Sequence, residues 1–133
     1  MIDSIRSAAP SFIFTTSSST PVVVATRMSI QIAQKALLQR KQLFVRVSQL
    51  RKKLSELGVH TIGDCGSHIV IIDVGDEHIC AYKAAMLLAA GEYVQPIFYP
   101  TVPSGKARLR ITPTHLHTYA DIERLSYLIA GLN

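Results

Sequence analysis

The residues most suited to chemistry are an arginine and a threonine nine positions apart. Arg110 lies in a short run that predicts a strand, and Thr101 lies in a turn with prolines close by on both sides. A guanidinium can hold a carboxylate through two parallel hydrogen bonds, and proline restricts the backbone that carries the hydroxyl. The pair therefore predicts a carboxylate-binding pocket with a buried Arg110. An exposed arginine and an ordinary turn threonine are the alternative.

A second candidate group is a run of hydroxyl side chains before a predicted helix. Thr15 and Thr16 open this run, and Pro21 fits the first position of the helix that follows it. Hydroxyls and the unpaired N–H groups of a helix start can together hold a phosphate. Such residues also cap helices, and from the residues alone capping is the simpler interpretation.

The histidines and cysteines do not form a recognisable metal motif. His68, His115 and His117 have no carboxylate or cysteine partner at metal-ligand spacing, so structural roles are predicted for all three. Cys65 and Cys80 are too far apart for a zinc site or a C-x-x-C redox pair. No metal site is expected.

Composition limits the remaining function classes. A length of 133 residues with 48% hydrophobic side chains suits a single core. Fourteen Lys and Arg against nine Asp and Glu give a net charge of +5, but most of the excess is spaced along one predicted helix with little aromatic content. No apolar run reaches the ~18 residues that span a bilayer, and no signal peptide is recognisable. Neither nucleic acid nor a membrane is expected as a partner.

Helical periodicity dominates residues 21–57. The segment is almost wholly apolar to about residue 32 and amphipathic after it, so two packed helices or one kinked helix would both fit. Gly58 is expected to end it. The later part has a predicted buried stripe with steps of three and four: Leu43, Val47, Leu50, Leu54 and Leu57.

The rest of the chain predicts a small sheet. Apolar or β-branched runs indicate strands at 68–74, 93–97 and 107–112, and a further β-prone run lies at 12–15. The predicted fold class is α+β, with a short, mostly antiparallel sheet covered by helices and preceded by a long helical segment.

Two further helices are predicted around these strands. The first covers residues 77–90, and the second begins at Thr118, with Asp121 completing a capping box. The first helix is expected to align Ile79, Tyr82, Met86 and Ala90 on one side, and the second Ile122, Leu125, Ile129 and Leu132.

Together these motifs resemble the C-terminal part of 5-aminolevulinate synthase, in the α-oxoamine synthase family of pyridoxal-phosphate enzymes. Separated blocks agree with that family in order and spacing. The blocks are 5–7 with 12–16, then 66–70, 93–95, 99–103, and 108–114 with 117–118.

The resemblance implies a role for each candidate side chain. Arg110 matches the arginine that binds the carboxylate of glycine, and Thr101 matches the threonine that helps to hold the carboxylate of succinyl-coenzyme A. Thr15 and Thr16 match a hydroxyl pair that reaches the cofactor phosphate across a homodimer. The phosphate interpretation of this run is therefore preferred to capping.

The resemblance also implies a domain division and an activity. Residues 1–35 correspond to a remnant of the large cofactor domain of a fold-type I enzyme, and 36–133 correspond to its small C-terminal domain. The activity that the resemblance implies is that of 5-aminolevulinate synthases. These enzymes condense glycine with succinyl-coenzyme A to give 5-aminolevulinate, coenzyme A and carbon dioxide, in haem biosynthesis.

The family's Schiff-base lysine is expected upstream of Met1, so the isolated chain is expected to be inactive. It would act as a homodimer or with a separate N-terminal half, in the cytoplasm or, in a eukaryote, the mitochondrial matrix. The alternatives are a non-catalytic binding or dimerisation module and a related oxoamine synthase with another acyl donor.

Overall fold

Helices form the first part of the chain, and a small sheet packed with helices forms the rest. The computed structural model describes residues 1–14, 16–63 and 66–132. The chain divides into two compact units, Met1–Leu37 and Leu38–Asn133. Its elements are α1 (Ile2–Ala8), α2 (Pro10–Ile13), α3 (Thr20–Lys35), α4 (Leu37–Glu56), β1 (Thr61–Ile62), β2 (Val70–Gly75), α5 (Glu77–Ala89), β3 (Gln95–Ile97), β4 (Ala107–Ile111) and α6 (Tyr119–Ala130).

The first unit consists of α1, α2 and α3, and none of the described side chains of these helices is buried. The β-prone run at 12–15 is not a strand in its described part, since Phe12 and Ile13 lie in α2, and Thr15 lies outside the described residues. A strand needs a neighbour for its backbone groups, whereas a helical turn satisfies them locally. Here the Phe14 N–H donates to the Pro10 carbonyl at 3.1 Å.

The helical prediction for residues 21–57 is confirmed as two helices separated at Ala36. Helix α3 begins at Thr20, one residue earlier than expected, and Pro21 lies in its first turn. Gly58, with a φ of 75°, follows the end of α4 as predicted. The predicted stripe of α4 supplies three buried residues: Val47, Leu50 and Leu54.

The four strands form one antiparallel sheet in the order β1-β2-β4-β3. Strand β4 lies between β2 and β3, with Arg110 opposite Ile71 on one side and Gln95 on the other. Side chains alternate along β4, so Ala107, Leu109 and Ile111 are buried while Arg110 points away from them. Strand β1 has only two residues and gave no recognisable sequence pattern.

The core lies between the sheet and helices α4, α5 and α6. The side of α5 that carries Ile79, Tyr82 and Met86 is exposed. Both sides of this helix are apolar in sequence, so periodicity could not choose between them. The buried side carries apolar residues that pack against the sheet. These buried residues are Cys80, Ala84 and Leu87.

Helix α6 has the predicted start. The Thr118 hydroxyl accepts a hydrogen bond from the Asp121 N–H at 3.2 Å, and the Asp121 carboxylate accepts one from the Thr118 N–H at 2.7 Å. This is a complete capping box. The predicted stripe is confirmed, with Ile122, Leu125 and Ile129 buried and Leu132 partly buried.

Candidate functional site

The side chain of Arg110 lies on the face of the sheet opposite the core. We call this the open face, defined by Ile71, Asp73, Gln95, Arg108 and Arg110, which share one side of their strands by register. Arg110 is exposed, so the prediction of a buried arginine is wrong. Its neighbours along the strand, Leu109 and Ile111, point to the core, and alternation therefore directs Arg110 outward.

The guanidinium of Arg110 makes no hydrogen bond or ion pair with any residue in the part of the chain that the structure describes. By contrast, the Nε of Arg108 donates to the Lys106 carbonyl at 3.1 Å. A planar guanidinium with its donors available is suited to binding a carboxylate in two parallel hydrogen bonds. The open face therefore carries a cation available to an anionic ligand.

Polar side chains lie beside Arg110 on strand β3. Gln95 is directly opposite Arg110, and its Oε1 accepts a hydrogen bond from the Tyr93 hydroxyl at 2.8 Å. In the sequence, Tyr93 and Gln95 belong to the 93–95 block, which by itself predicts no functional role for either residue. The amide of Gln95 therefore lies next to Arg110, and the Tyr93 hydroxyl is bonded to that amide.

Thr101 lies in the loop that joins β3 to β4, and its side chain is exposed. Its backbone N–H donates to the Phe98 carbonyl at 3.0 Å, which is a local turn bond, and the Tyr99–Pro100 peptide bond is cis. The last strand pair before the loop is Ile97 with Arg108, so Thr101 and Arg110 lie at different levels of one hairpin. The shared pocket stays a prediction.

The hydroxyl run before α3 lies partly within the described residues. Thr15 is outside them, and Thr16 is exposed. Ser19 is the N-cap residue of α3, but its side chain makes no capping hydrogen bond. Within the described part of the chain, the N-cap residue of this 16-residue helix therefore leaves the first-turn N–H groups without a side-chain cap, and such N–H groups have the donor chemistry that suits a phosphate.

Lys53 is held as a charged ammonium rather than as a nucleophilic amine. Its Nζ lies 3.2 Å from a carboxylate oxygen of Glu123 and 4.9 Å from the centre of the Tyr127 ring. Hydrogen bonding to the Tyr127 side chain, and then to Glu123, raises the pKa of Lys53 above its usual range. A Schiff-base lysine reacts as the neutral amine, so this environment opposes that role.

His117 makes hydrogen bonds through both its side chain and its backbone. Its Nδ1 accepts a hydrogen bond from the Thr114 N–H at 2.8 Å, and its backbone carbonyl accepts one from Arg46 Nε at 2.7 Å. His68 and His115 are exposed. Among residues 1–14, 16–63 and 66–132, no group of three or more His, Cys, Asp or Glu side chains could hold a metal ion.

Comparison with known protein families gives a match over residues 1–127 to the family described as aminotransferase class I and II. The chain belongs to this aminotransferase family. Within the described part of the chain, no helix of this family member is both long and apolar enough to cross a membrane.

Curated relatives of this aminotransferase-family chain are 5-aminolevulinate synthases. The enzyme from Paracoccus denitrificans is 45% identical over 130 residues, which cover 94% of this chain and 31% of the relative. The mitochondrial 5-aminolevulinate synthase of Agaricus bisporus is 40% identical and is matched over 99% of this chain and 21% of its own length. The chain therefore spans less than a third of these relatives.

Solved structures confirm the fold-type I architecture of this family member. Serine palmitoyltransferase from S. paucimobilis, with a bound PLP–myriocin aldimine, has a TM-score of 0.88 and 27% identity over 98% of this chain and 33% of that chain. An 8-amino-7-oxononanoate synthase from Francisella tularensis has a TM-score of 0.83 at 16% identity, covering 98% of this chain and 38% of that one.

Proposed function

We propose that this chain is a portion of a 5-aminolevulinate synthase-like enzyme and provides the contact for the carboxylate of glycine. The observation that carries the proposal is the exposed guanidinium of Arg110 on the open face, beside Gln95 and without an ion-pair partner among the described residues. The 45% identity to a 5-aminolevulinate synthase supports glycine as the substrate.

The side chains of this chain would bind and orient the two substrates. A bidentate grip by Arg110 fixes the direction of the glycine carboxylate, while the Thr101 hydroxyl donates to the carboxylate of succinyl-coenzyme A. Across a homodimer, Thr15 and Thr16 would donate to the cofactor phosphate of the partner subunit, together with the N–H groups at the start of α3. Pyridoxal phosphate, when bound, supplies the electron sink for the carbanion chemistry.

We also propose that residues 1–35 belong to the large cofactor domain and 36–133 to the small domain. Helices α1 to α3 have no buried side chain, although they are rich in apolar residues. Val23 and Ile30, for example, are more than half exposed in α3. Apolar helices of this kind normally pack against further polypeptide, which here would be the remainder of the enzyme.

The test is a hybrid enzyme in which this chain replaces the matching segment of the Paracoccus denitrificans synthase. We expect the hybrid to form 5-aminolevulinate from glycine and succinyl-coenzyme A, with the remaining segment of that enzyme supplying the catalytic lysine. A hybrid that folds and shows the absorbance of bound cofactor but forms no product from any acyl-coenzyme A would contradict the proposal. Turnover with a different acyl donor would instead identify a related oxoamine synthase.

The exposed apolar surface of α3 favours a second candidate function, a non-catalytic association module. In this case the chain would bind a full-length synthase and would not support turnover. Size-exclusion chromatography of the chain mixed with the Paracoccus denitrificans enzyme distinguishes the two functions. Stable association together with an inactive hybrid favours the module, whereas an active hybrid favours the enzyme.

A further inference from the structure

The segment that leaves strand β4 is held by a side chain rather than by another strand. The last registered pair of β4 joins Ile111 to Val70, and the chain then passes through Thr112 and Pro113. The next N–H group, that of Thr114, donates to Nδ1 of His117 at 2.8 Å. This hydrogen bond therefore fixes the exit of the strand that presents Arg110.

His117 is itself anchored on both sides. Its carbonyl accepts the 2.7 Å hydrogen bond from Arg46 of helix α4. The next residue, Thr118, starts the capping box of α6 through Asp121. The imidazole therefore belongs to a residue whose backbone is bonded to α4 and directly precedes α6. Its hydrogen bond connects the C-terminal end of β4 to both helices.

The hydrogen bonds of the imidazole define the role of each ring nitrogen. Because Nδ1 accepts from the Thr114 N–H, the ring needs an available lone pair at that nitrogen, and Nε2 carries the proton in the neutral ring. The Thr114 hydroxyl lies 3.2 Å from the same nitrogen and also accepts from the Leu116 N–H at 3.3 Å. These bonds close a compact turn over residues 114–117.

We propose that His117 is a positioning residue for the carboxylate site: it holds the exit of β4, and thereby sets where Arg110 is presented on the open face. This inference rests on the proposed function, because it concerns the same carboxylate contact. Arg110 is the penultimate residue of β4, four residues before Thr114. A displacement of about 1 Å in a substrate-holding group can lower a rate by about two orders of magnitude, so a small shift would be measurable.

The first test measures amide hydrogen exchange in the full 133-residue chain. We expect His117→Ala to raise the exchange rate of the Thr114 amide by about tenfold or more, because its acceptor is lost. His117→Asn places a carbonyl oxygen near the position of Nδ1 and should restore most of the protection. His115→Ala, which removes an exposed histidine in the same loop, is the matched control. An unchanged Thr114 rate, or an equal rise at Leu50 in the core, would overturn the proposal.

The second test uses the hybrid enzyme. We expect His117→Ala to raise the KM for glycine by about tenfold with a smaller change in kcat, and His117→Asn to lie close to the unsubstituted hybrid. An active hybrid in which His117→Ala and His115→Ala have the same KM would overturn the positioning role. An inactive hybrid would contradict the proposed function, and the exchange rates at Thr114 would still decide whether His117 holds the strand exit.

Discussion

Arg46 and His117 are 71 residues apart in sequence and are joined by a 2.7 Å hydrogen bond from Arg46 Nε to the His117 carbonyl oxygen. The bond ties helix α4 to the loop that starts α6. Arg46 also donates from its NH1 group to the Gln49 side chain at 3.0 Å, which holds the guanidinium in one orientation. A single side chain therefore links helix α4 to the turn that follows strand β4.

We expect Arg46→Ala to lower the free energy of unfolding by about 1 kcal/mol, since the His117 carbonyl loses its charged donor in a partly exposed setting. Urea denaturation of the chain measures this change. Lys41→Ala, on an exposed position of the same helix, is the matched control and should change the stability by less than about 0.5 kcal/mol. Equal changes in the free energy of unfolding for the two variants would show that the hydrogen bond from Arg46 to His117 does not stabilise the chain.

In the hybrid enzyme, Arg110→Gln should raise the KM for glycine by about tenfold to a hundredfold, because a charge-assisted contact to the carboxylate is worth about 1.5 to 3 kcal/mol. Steady-state kinetics with varied glycine measure the effect. Arg108→Gln removes the other arginine of the open face, whose guanidinium already donates to the Lys106 carbonyl. A similar KM for glycine in both variants would mean that Arg110 contributes only a non-specific positive charge.

The capping box predicts a pH dependence of stability. The Thr118 N–H, and then its hydroxyl, hold the pKa of Asp121 below its ordinary value of 3.8. The contribution of this carboxylate is therefore complete above the ordinary value and is lost as the pH falls through the lowered one. Asp121→Asn should be less stable than the parent near neutral pH.

Urea midpoints measured from about pH 6 to about pH 2 should show the difference between Asp121→Asn and the parent shrinking with acidification. Asp73→Asn, on the open face and outside any helix cap, serves as the control. A difference that stays constant over this range would indicate that the carboxylate charge is irrelevant to the cap.

Because β4 packs into the core between sheet and helices, we expect a cavity in this strand to lower the free energy of unfolding by a large amount. Leu109 is 1% exposed, and Leu109→Ala should lower the free energy of unfolding by about 3 kcal/mol. Leu116, which is 77% exposed, provides the same substitution in solvent and should cost less than about 0.5 kcal/mol. Chemical denaturation of both variants checks the contrast, and a mild Leu109→Ala would argue against the described packing.

The first unit should contribute little to the stability of the second. Since helices α1 to α3 bury none of their described side chains, a chain that starts at Leu38 should keep the circular dichroism melt of the sheet-containing unit within a few degrees. It should also be more soluble, because α3 exposes Val23, Ile30 and other apolar residues. Loss of the cooperative melt on truncation would contradict this expectation.

The sequence predicted the elements whose local signals and burial agree. Leu50 and Leu54 lie on a stripe with charged residues on the other side, and Thr118 with Asp121 marks a helix start, so these features could be inferred from spacing alone. Periodicity could not choose the buried side of α5, because Tyr82 and Cys80 both lie on apolar sides of that helix. Only packing against the sheet selects the side that carries Cys80, Ala84 and Leu87.

For the candidate site, sequence supplied residue types but not their surroundings. The residue type of Arg110 predicts a carboxylate contact, yet its exposure depends on which side of β4 faces the helices. The hydrogen bond from Thr114 to His117 also depends on a loop conformation that no periodic pattern specifies. The sequence shows which chemical groups are present, whereas the direction of each side chain follows from tertiary packing.

The two arginines of the open face place a condition on whatever polypeptide comes to lie over it. Arg108 and Arg110 stand on the same side of β4, with Asp73 opposite Arg108 as the one nearby acidic side chain in the strand register. Dehydrating a guanidinium without a counter-charge costs several kcal/mol. A polypeptide surface that covers the open face must therefore supply a carboxylate or phosphate, or leave room for solvent. A purely apolar surface would not bind there.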